Sequence, residues 1–89
     1  MTEHKHGTHP AIIKRLNRAS GHLRSIVTMI ENERSCVDLA QQLDAVEKAI
    51  ASAKRALIND HIHHCLNHAA DQGGAAKAIE DFKAISRYL

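Results

Sequence analysis

The sequence predicts an all-α protein of three helices with one long central helix, and it predicts that this chain pairs with further copies of itself. Its 89 residues are rich in Ala, Leu, Ile, Lys, Glu and Gln, most of which favour helices, and Phe82 and Tyr88 are its only aromatic residues. No Pro or Gly interrupts residues 37–72. A domain this small buries a modest fraction of its surface, so oligomerisation is expected to complete the core.

The first helix is predicted to begin near Pro10, because a missing N–H is tolerated at the first helical position. Residues 1–9 are polar and carry histidines, and we predict that they form a mobile arm ahead of a single domain at 10–89. Apolar residues then follow helical spacing at Ile12, Ile13, Leu16, Leu23, Ile26, Val27 and Ile30. Gly21 costs about 1 kcal/mol relative to Ala inside a helix, so a close helix contact or a groove is expected there.

The second helix is predicted to begin near Ser35, whose hydroxyl suits an N-cap, and Asp38 three residues later resembles part of a capping box. Its apolar pattern continues for roughly 30 residues, against a mean helix length of about 11–12, which is typical of bundles and coiled coils. Gly73 and Gly74 are predicted to end it. A third helix is predicted from Ala75 to the end, with one face formed by Ala78, Ile79, Phe82, Ile85 and Leu89.

The composition argues against several classes of protein. There is no run of 18 apolar residues, so no membrane span is expected, and the polar N-terminus predicts a cytoplasmic protein. Two cysteines in such a protein favour metal or redox chemistry over a structural disulfide. An enzyme is not expected, because the chain shows no nucleophile–base arrangement and offers little pocket volume.

Basic residues are concentrated in the first helix, although the net charge is only +2. Residues 12–28 contain no acidic residue and four basic ones, Lys14, Arg15, Arg18 and Arg24. In most proteins such a stretch is an ordinary solvated face, but an oligomer repeats it several times, which makes a surface that binds DNA phosphates more plausible. His22 in the same helix is interpreted as structural or DNA-facing. No helix-turn-helix, ribbon or zinc-finger signature is present, so no residue is assigned to base readout.

The stretch "DHIHHCLNH", which begins at position 60, combines four histidines with one cysteine. On a helix, His61 and Cys65 are spaced i, i+4 and lie on one face about 6 Å apart, so the two can bind one ion. His64 is a further candidate ligand, because it lies three residues from His61. The other two histidines of the stretch are predicted to lie at the surface.

Cys36 lies 25 residues before His61, which corresponds to about 37 Å on a continuous helix. Because metal–ligand distances are only about 2 Å, one ion cannot bind both residues of a single chain. Cys36 and Cys65 of one chain also cannot form a disulfide, which needs Cα atoms within about 7 Å. Two long helices packed antiparallel in a two-fold dimer would bring Cys36 of one subunit beside His61 and Cys65 of the other. A site with all three ligands therefore requires a dimer.

Three segments, "IIKRLNRASGHLRSI", "CVDLAQQLDAVEKAI" and "LINDHIHHC", resemble the CsoR/RcnR family of metal-sensing repressors, and within it the nickel/cobalt-responsive DmeR type. The resemblance implies an antiparallel helical-bundle dimer that assembles into a homotetramer, binds operator DNA without metal and releases it with metal. It places Cys36, His61 and Cys65 at ligand positions of the second helix. It also places Lys54 and Arg55 at basic positions that the family uses with DNA.

The ligand types leave the metal open. Two thiolates and one imidazole suit Cu(I) or Zn(II). The resemblance implies one more histidine near the N-terminus of nickel and cobalt sensors, and His4 occupies that position, which moves the preference towards Ni(II) or Co(II). Formaldehyde-sensing members carry Pro where this chain has Thr2, and persulfide sensors lack a histidine at the position of His61. We expect a Ni(II)- or Co(II)-responsive repressor of metal efflux genes, with a Cu(I)-sensing repressor or a metal-storage or chaperone protein without DNA binding as alternatives.

Overall fold

Three helices form the protein: α1 (His9–Glu31), α2 (Cys36–Asp71) and α3 (Ala75–Ser86). The computed structural model describes residues 7–71 and 74–89, and these ranges contain no strand. α2 packs against both other helices, whereas α1 and α3 make no contact with each other within these ranges. The molecule is elongated, with extents of 58 × 25 × 14 Å. The prediction of three helices with one long central helix is confirmed.

No helix in the described ranges combines the length and the apolar character that crossing a membrane would need.

α1 begins one residue before the predicted start, with Thr8 at the N-cap and Pro10 in the first turn. Its buried residues are Ile12, Ala19 and Ile26, which recur every seven positions and form the face packed on α2. Met29 is half-buried, and the other large apolar residues of α1 are exposed, namely Ile13, Leu16, Leu23, Val27 and Ile30. One chain therefore covers only part of the apolar surface that the sequence placed on this helix.

A Schellman motif ends α1 and turns the chain back towards α2. The N–H of Glu33 donates to the carbonyl of Ile30 at 3.0 Å, and the N–H of Arg34 donates to the carbonyl of Met29 at 3.1 Å. Glu33 has φ 60°, the left-handed region that costs a residue with a side chain about 1–2 kcal/mol. The turn is therefore well bonded but carries local strain at Glu33.

The start of α2 is fixed by side-chain hydrogen bonds on both sides of Cys36. The hydroxyl of Ser35 accepts from the backbone N–H of Asp38 at 3.1 Å, which confirms the predicted N-cap. The capping-box expectation is wrong, because the Asp38 carboxylate accepts from the Arg34 guanidinium at 2.6 and 3.0 Å. Cys36 is the first residue of α2 and is exposed.

α2 carries two different apolar surfaces. Val46, Ala53, Ile58 and Cys65 are buried, as is Ala78 of α3. A second set recurs every seven residues and remains 41–46% exposed: Leu43, Ile50 and Leu57, here called the α2 stripe. Seven-residue spacing of apolar positions is the pattern by which long helices pair with each other. The stripe is therefore a surface suited to another long helix.

Gly21 is not required by packing within the chain. A Cβ atom at this position would meet only a guanidinium nitrogen of Arg24, at 3.8 Å, which is ordinary van der Waals contact. The expected close helix contact at Gly21 is therefore absent from the described part of the chain. Gly73, the other glycine predicted to shape the chain, lies outside the described residues, while Gly74 is the N-cap residue of α3.

Replacing Glu33 with Gly is expected to raise the free energy of unfolding by about 0.5–1 kcal/mol, because Gly adopts a left-handed conformation without steric cost. Urea denaturation followed by circular dichroism at one fixed protein concentration measures this change. Glu80→Gly is the matched control: the same exchange at an exposed position inside α3 is expected to lower the free energy of unfolding by about 0.5–1 kcal/mol. A loss of stability in Glu33→Gly would contradict the strain assigned to this turn.

Candidate functional site

Three potential metal ligands meet where α2 packs against α3. One donor atom from each of His61, Cys65 and Asp81 lies within 4.8 Å of the others. Cys65 is buried, at 6% exposure, while His61 and Asp81 are half-buried. His61 and Cys65 lie one turn apart on α2, as their spacing predicts, and Asp81 approaches from α3. Imidazole, thiolate and carboxylate are all ligands of divalent transition metals, so the donor set fits such an ion.

The surroundings of Cys65 keep its thiol protonated in the absence of metal. Burial raises the pKa of Cys65, and the negative charge of Asp81 raises it further, while the positive charge of Lys77 opposes both effects. Lys77 Nζ lies 3.5 Å from Asp81 Oδ1, so the two charges of α3 act as a pair. A metal binds the thiolate form, and an ion at this site must therefore displace the thiol proton.

Cys36 lies at the opposite end of α2 and does not reach this cluster within one chain. α2 is continuous from Cys36 to Asp71. Cys36 and Cys65, which are 29 positions apart, are therefore separated by about 43 Å along the helix. Both are free cysteines. A single chain therefore holds the two predicted half-sites at opposite ends of one helix, as the distance along a continuous helix predicts.

The remaining histidines are placed less centrally. His64 is half-buried on α2 but is not part of the group formed by His61, Cys65 and Asp81. His63 is exposed, as predicted. His4 and the side chain of His68 lie outside the described residues.

His9 places the start of α1 beside the end of α2 that carries His61 and Cys65. Its Nε2 atom lies 3.8 Å from Oδ2 of Asp60, the residue that precedes His61. His9 is the first residue of α1, so the chain enters this helix close to the His61 cluster.

A groove with basic walls, here called the basic groove, lies between α1 and α2. It encloses about 280 Å³ and is lined by Arg15, Arg18, Ala19, His22, Ala49 and Ser52. Arg15 Nη1 donates to the Ser52 hydroxyl at 3.4 Å, which joins the two walls. His22 Nε2 lies 2.6 Å from Gln42 Oε1, a second link between the helices. None of the lining residues is acidic, so the groove suits an anion.

The other predicted DNA-binding residues lie outside this groove. Lys14, Arg24, Lys54 and Arg55 are all exposed. Arg24 donates to the Ser20 hydroxyl at 3.0 Å on its own helix. Lys54 and Arg55 are successive residues of α2, so their side chains leave the helix about 100° apart. The structure therefore groups Arg15 with Arg18 in one groove, which the remaining four cations do not line.

The other flank of the α1–α2 contact is apolar. An open groove of about 570 Å³ is lined by Leu23, Ala40, Leu43, Asp44, Val46, Glu47 and Ile50. It includes two residues of the α2 stripe, Leu43 and Ile50. The two helices thus present a basic groove on one side and an apolar groove on the other.

Asp81 is a potential ligand that the sequence does not indicate. Its only signal in the sequence is the i, i+4 spacing from Lys77, which predicts a surface ion pair and nothing more. Ser52 and Gln42 are likewise unpredicted as partners of Arg15 and His22. All of these contacts join different helices, and spacing along one helix does not reveal them.

The proteins to which this chain is similar are named as metal-sensing transcriptional repressors. A family model described as "Metal-sensitive transcriptional repressor" matches residues 8–87. The copper-sensing transcriptional repressor CsoR of Bacillus subtilis (strain 168) is 40% identical over 70 residues, which cover 79% of this chain and 69% of that protein. The copper-sensing transcriptional repressor RicR of Mycobacterium tuberculosis is 38% identical over 79 residues, which cover 85% and 82%.

A solved structure extends the likeness to a sensor of another metal. The nickel-responsive transcriptional regulator InrS superposes with a TM-score of 0.84 at 28% sequence identity, covering 99% of this chain and 100% of that one. Copper and nickel regulators therefore share this fold, and the likeness alone does not select one metal.

Asp81→Asn is expected to lower the pKa of the Cys65 thiol, so that the thiolate appears at lower pH, because the variant removes the charge that opposes ionisation. Lys77→Gln is the matched variant and should shift the same pKa upwards. Thiolate absorbance in the ultraviolet, followed against pH in metal-free protein that carries Cys36→Ser and Tyr88→Phe, reports Cys65 alone. Identical titrations for both variants would show that the α3 charges do not act on this thiol.

Proposed function

The chain belongs to the family of metal-sensitive transcriptional repressors, and from this premise we propose that it binds operator DNA without metal and releases it when Ni(II) or Co(II) binds between two subunits. Release would derepress metal efflux genes. One observation carries the proposal: His61, Cys65 and Asp81 meet at one end of α2, while the exposed Cys36 begins the other end.

The α2 stripe supports an antiparallel dimer that completes this site. Leu43, Ile50 and Leu57 recur every seven residues and are exposed, which suits pairing with the same helix of a second copy. In an antiparallel pair of helices, all residue pairs that lie opposite each other have the same sum of residue numbers. A register that places Cys36 beside Cys65 of the partner subunit therefore also places Glu47 beside Lys54 of the partner subunit. These residues carry opposite charges, so the register is electrostatically favourable.

The N-terminal arm supports nickel or cobalt as the metal. The contact of His9 with Asp60 brings the start of α1 next to the His61 cluster. His4 lies five residues before His9, and five residues span at most about 17 Å, so His4 can reach this end of α2. An added imidazole and the Asp81 carboxylate are harder donors than thiolates, and they favour Ni(II) or Co(II) over Cu(I).

Cu(I) is the second candidate metal. The two thiolates of Cys36 and Cys65 with the His61 imidazole form a soft donor set that also suits Zn(II). Similarity to CsoR and RicR, both named as copper-sensing repressors, favours this alternative. A metal-storage or chaperone protein could use the same donors, but the basic groove would then have no role.

The basic groove supports binding to the DNA backbone. Arg15 and Arg18 of α1 provide guanidinium groups, and Ser52 of α2 provides a hydroxyl that lies 3.4 Å from Arg15. Guanidinium groups bind phosphate oxygens in a bidentate manner, and each dimer would present the groove twice. Because α2 forms one wall of this groove and also carries both half-sites, metal that ties two α2 helices together can change the spacing of the two grooves.

A direct test measures the affinity of the metal-free protein for Ni(II), Co(II), Cu(I) and Zn(II), and the release of a promoter duplex of its own gene by each ion. The sensed metal should combine high affinity with release. Linkage requires DNA to weaken the binding of that metal by the same factor, typically about 1–3 kcal/mol. Tight metal binding without any DNA binding would favour the storage alternative.

Cys36→Ala is expected to keep the DNA affinity of the metal-free protein and to lose metal-induced release, because the second half-site is gone while the basic groove is intact. A gel shift with and without metal checks both parts. Release of DNA from this variant at the metal concentration that suffices for the wild type would show that Cys36 is not a ligand.

Arg15→Ala is expected to weaken DNA binding and to reduce the slope of log affinity against log salt by about 0.9 for each phosphate that Arg15 neutralises. Metal affinity should stay unchanged, because Arg15 lies on a different flank of the molecule from the cluster. Lys83→Ala is the matched control, since Lys83 is an exposed cation of α3. Equal salt slopes for all three proteins would remove the basic groove from DNA binding.

A further inference from the structure

His22 lines the basic groove together with Arg15 and Arg18, but the proposed binding of DNA by these two arginines gives it no role. It is half-buried between α1 and α2, and its Nε2 atom lies 2.6 Å from Gln42 Oε1. An amide oxygen only accepts hydrogen bonds, so Nε2 carries a proton and donates it to Gln42. This bond holds the ring in the groove wall and leaves Nδ1 as the nitrogen for any other partner.

The protonation of Nδ1 decides whether His22 can bind a phosphate. In the neutral ring that donates through Nε2, Nδ1 is an acceptor and repels a phosphate oxygen. In the imidazolium form Nδ1 is a donor and the ring carries a positive charge, which suits a phosphate. Arg15 and Arg18 are already charged, so a third cation in the empty groove is repelled, and a seated phosphate removes that repulsion.

The groups around His22 offer it no other anion. α1 contributes Arg15 and Arg18, both cations, to the groove that His22 lines. α2 contributes Gln42, Ala49 and Ser52, none of which titrates near neutral pH. Within the described ranges α3 does not contact α1.

One carboxylate lies a turn away, on the α2 side of the groove. Asp38 precedes Gln42 by four residues, and its carboxylate is bound by the Arg34 guanidinium at 2.6 Å. The groove beside His22 therefore lacks an anion of its own and has the charge to accept a phosphate.

We propose that His22 binds the phosphate seated in the basic groove as an imidazolium, so that the protein takes up a proton at this residue when it binds DNA. This inference rests on the proposed DNA-binding function and adds that DNA binding is coupled to protonation of His22. Histidine side chains change their charge between about pH 5 and 8, so the proposed coupling acts within the physiological pH range. DNA affinity then rises as pH falls, by at most about tenfold per pH unit for each linked proton.

The test compares DNA affinity of metal-free protein, kept with a chelator, at about pH 6 and about pH 8, where histidine is mostly charged and mostly neutral. The probes are a promoter duplex of its own gene and a random duplex of equal length, because phosphate binding is independent of sequence. His22→Gln keeps an amide that can donate to Gln42 but cannot become charged. His22→Lys keeps a charge at both pH values.

Wild type should bind more tightly at the lower pH, and His22→Gln should lose that part of the pH dependence which belongs to this residue. His22→Lys should show the same loss of pH dependence but keep tight binding at the higher pH. His63→Gln, which alters an exposed histidine outside the groove, should follow wild type. The salt slopes of wild type and His22→Gln should differ by about 0.9 per neutralised phosphate at the lower pH and coincide at the higher pH.

Two failures remain distinguishable. Wild-type protein that binds neither duplex at any pH would overturn the proposed DNA-binding function itself. Wild-type protein that binds DNA, with a pH dependence that His22→Gln reproduces in full, would overturn the role of His22 alone. Far-ultraviolet circular dichroism and metal affinity equal to wild type show that the variants are folded.

Discussion

The length and continuity of α2 is the constraint on which the rest of the molecule depends. An uninterrupted helix holds Cys36 and Cys65 about 43 Å apart, and neither end can bend towards the other. Under the proposed function, each chain therefore carries two halves of a metal site that it cannot join. Joining them needs a second copy, and it makes metal binding and subunit pairing parts of one equilibrium. The exposed stripe of Leu43, Ile50 and Leu57 lies between the two half-sites, where such pairing would bury it.

The two flanks of the α1–α2 contact divide the proposed tasks. In the proposed function the apolar groove and the α2 stripe contact a second copy and the basic groove contacts the DNA backbone, and both grooves share α2 as a wall. A shift of one α2 helix against the other would therefore also change the position of the two basic grooves relative to each other. Coupling between sites in proteins typically amounts to about 1–3 kcal/mol. A change of this size requires only that one arrangement of the grooves fits the spacing of DNA phosphates better than the other.

Much of the fold follows from local signals in the sequence. Pro10 and Ser35 mark helix starts, and the spacing of His61 and Cys65 places them on one face, because these relations act within a single helix. The sequence does not reveal Asp81, since its approach to Cys65 depends on how α3 packs on α2. Gly21 shows the converse: its cost inside a helix predicted a close contact or a groove, and the close contact does not exist within the described part of the chain. Contacts between helices depend on packing geometry that no spacing rule contains.

The two proposed binding events are linked to protons with opposite signs: metal binding releases a proton, and DNA binding takes one up. Burial and the Asp81 charge raise the pKa of the Cys65 thiol and keep a proton on it, and a metal ion must release that proton on binding. At His22 the bond to Gln42 occupies Nε2, so a phosphate at Nδ1 requires a proton to be taken up. Lower pH then favours the DNA-bound form and disfavours the metal-bound form. Exchange of DNA for metal would release protons at both sites, so the two linkages act in the same direction. The equilibrium between the DNA-bound and the metal-bound form would then depend more steeply on pH than either binding event alone.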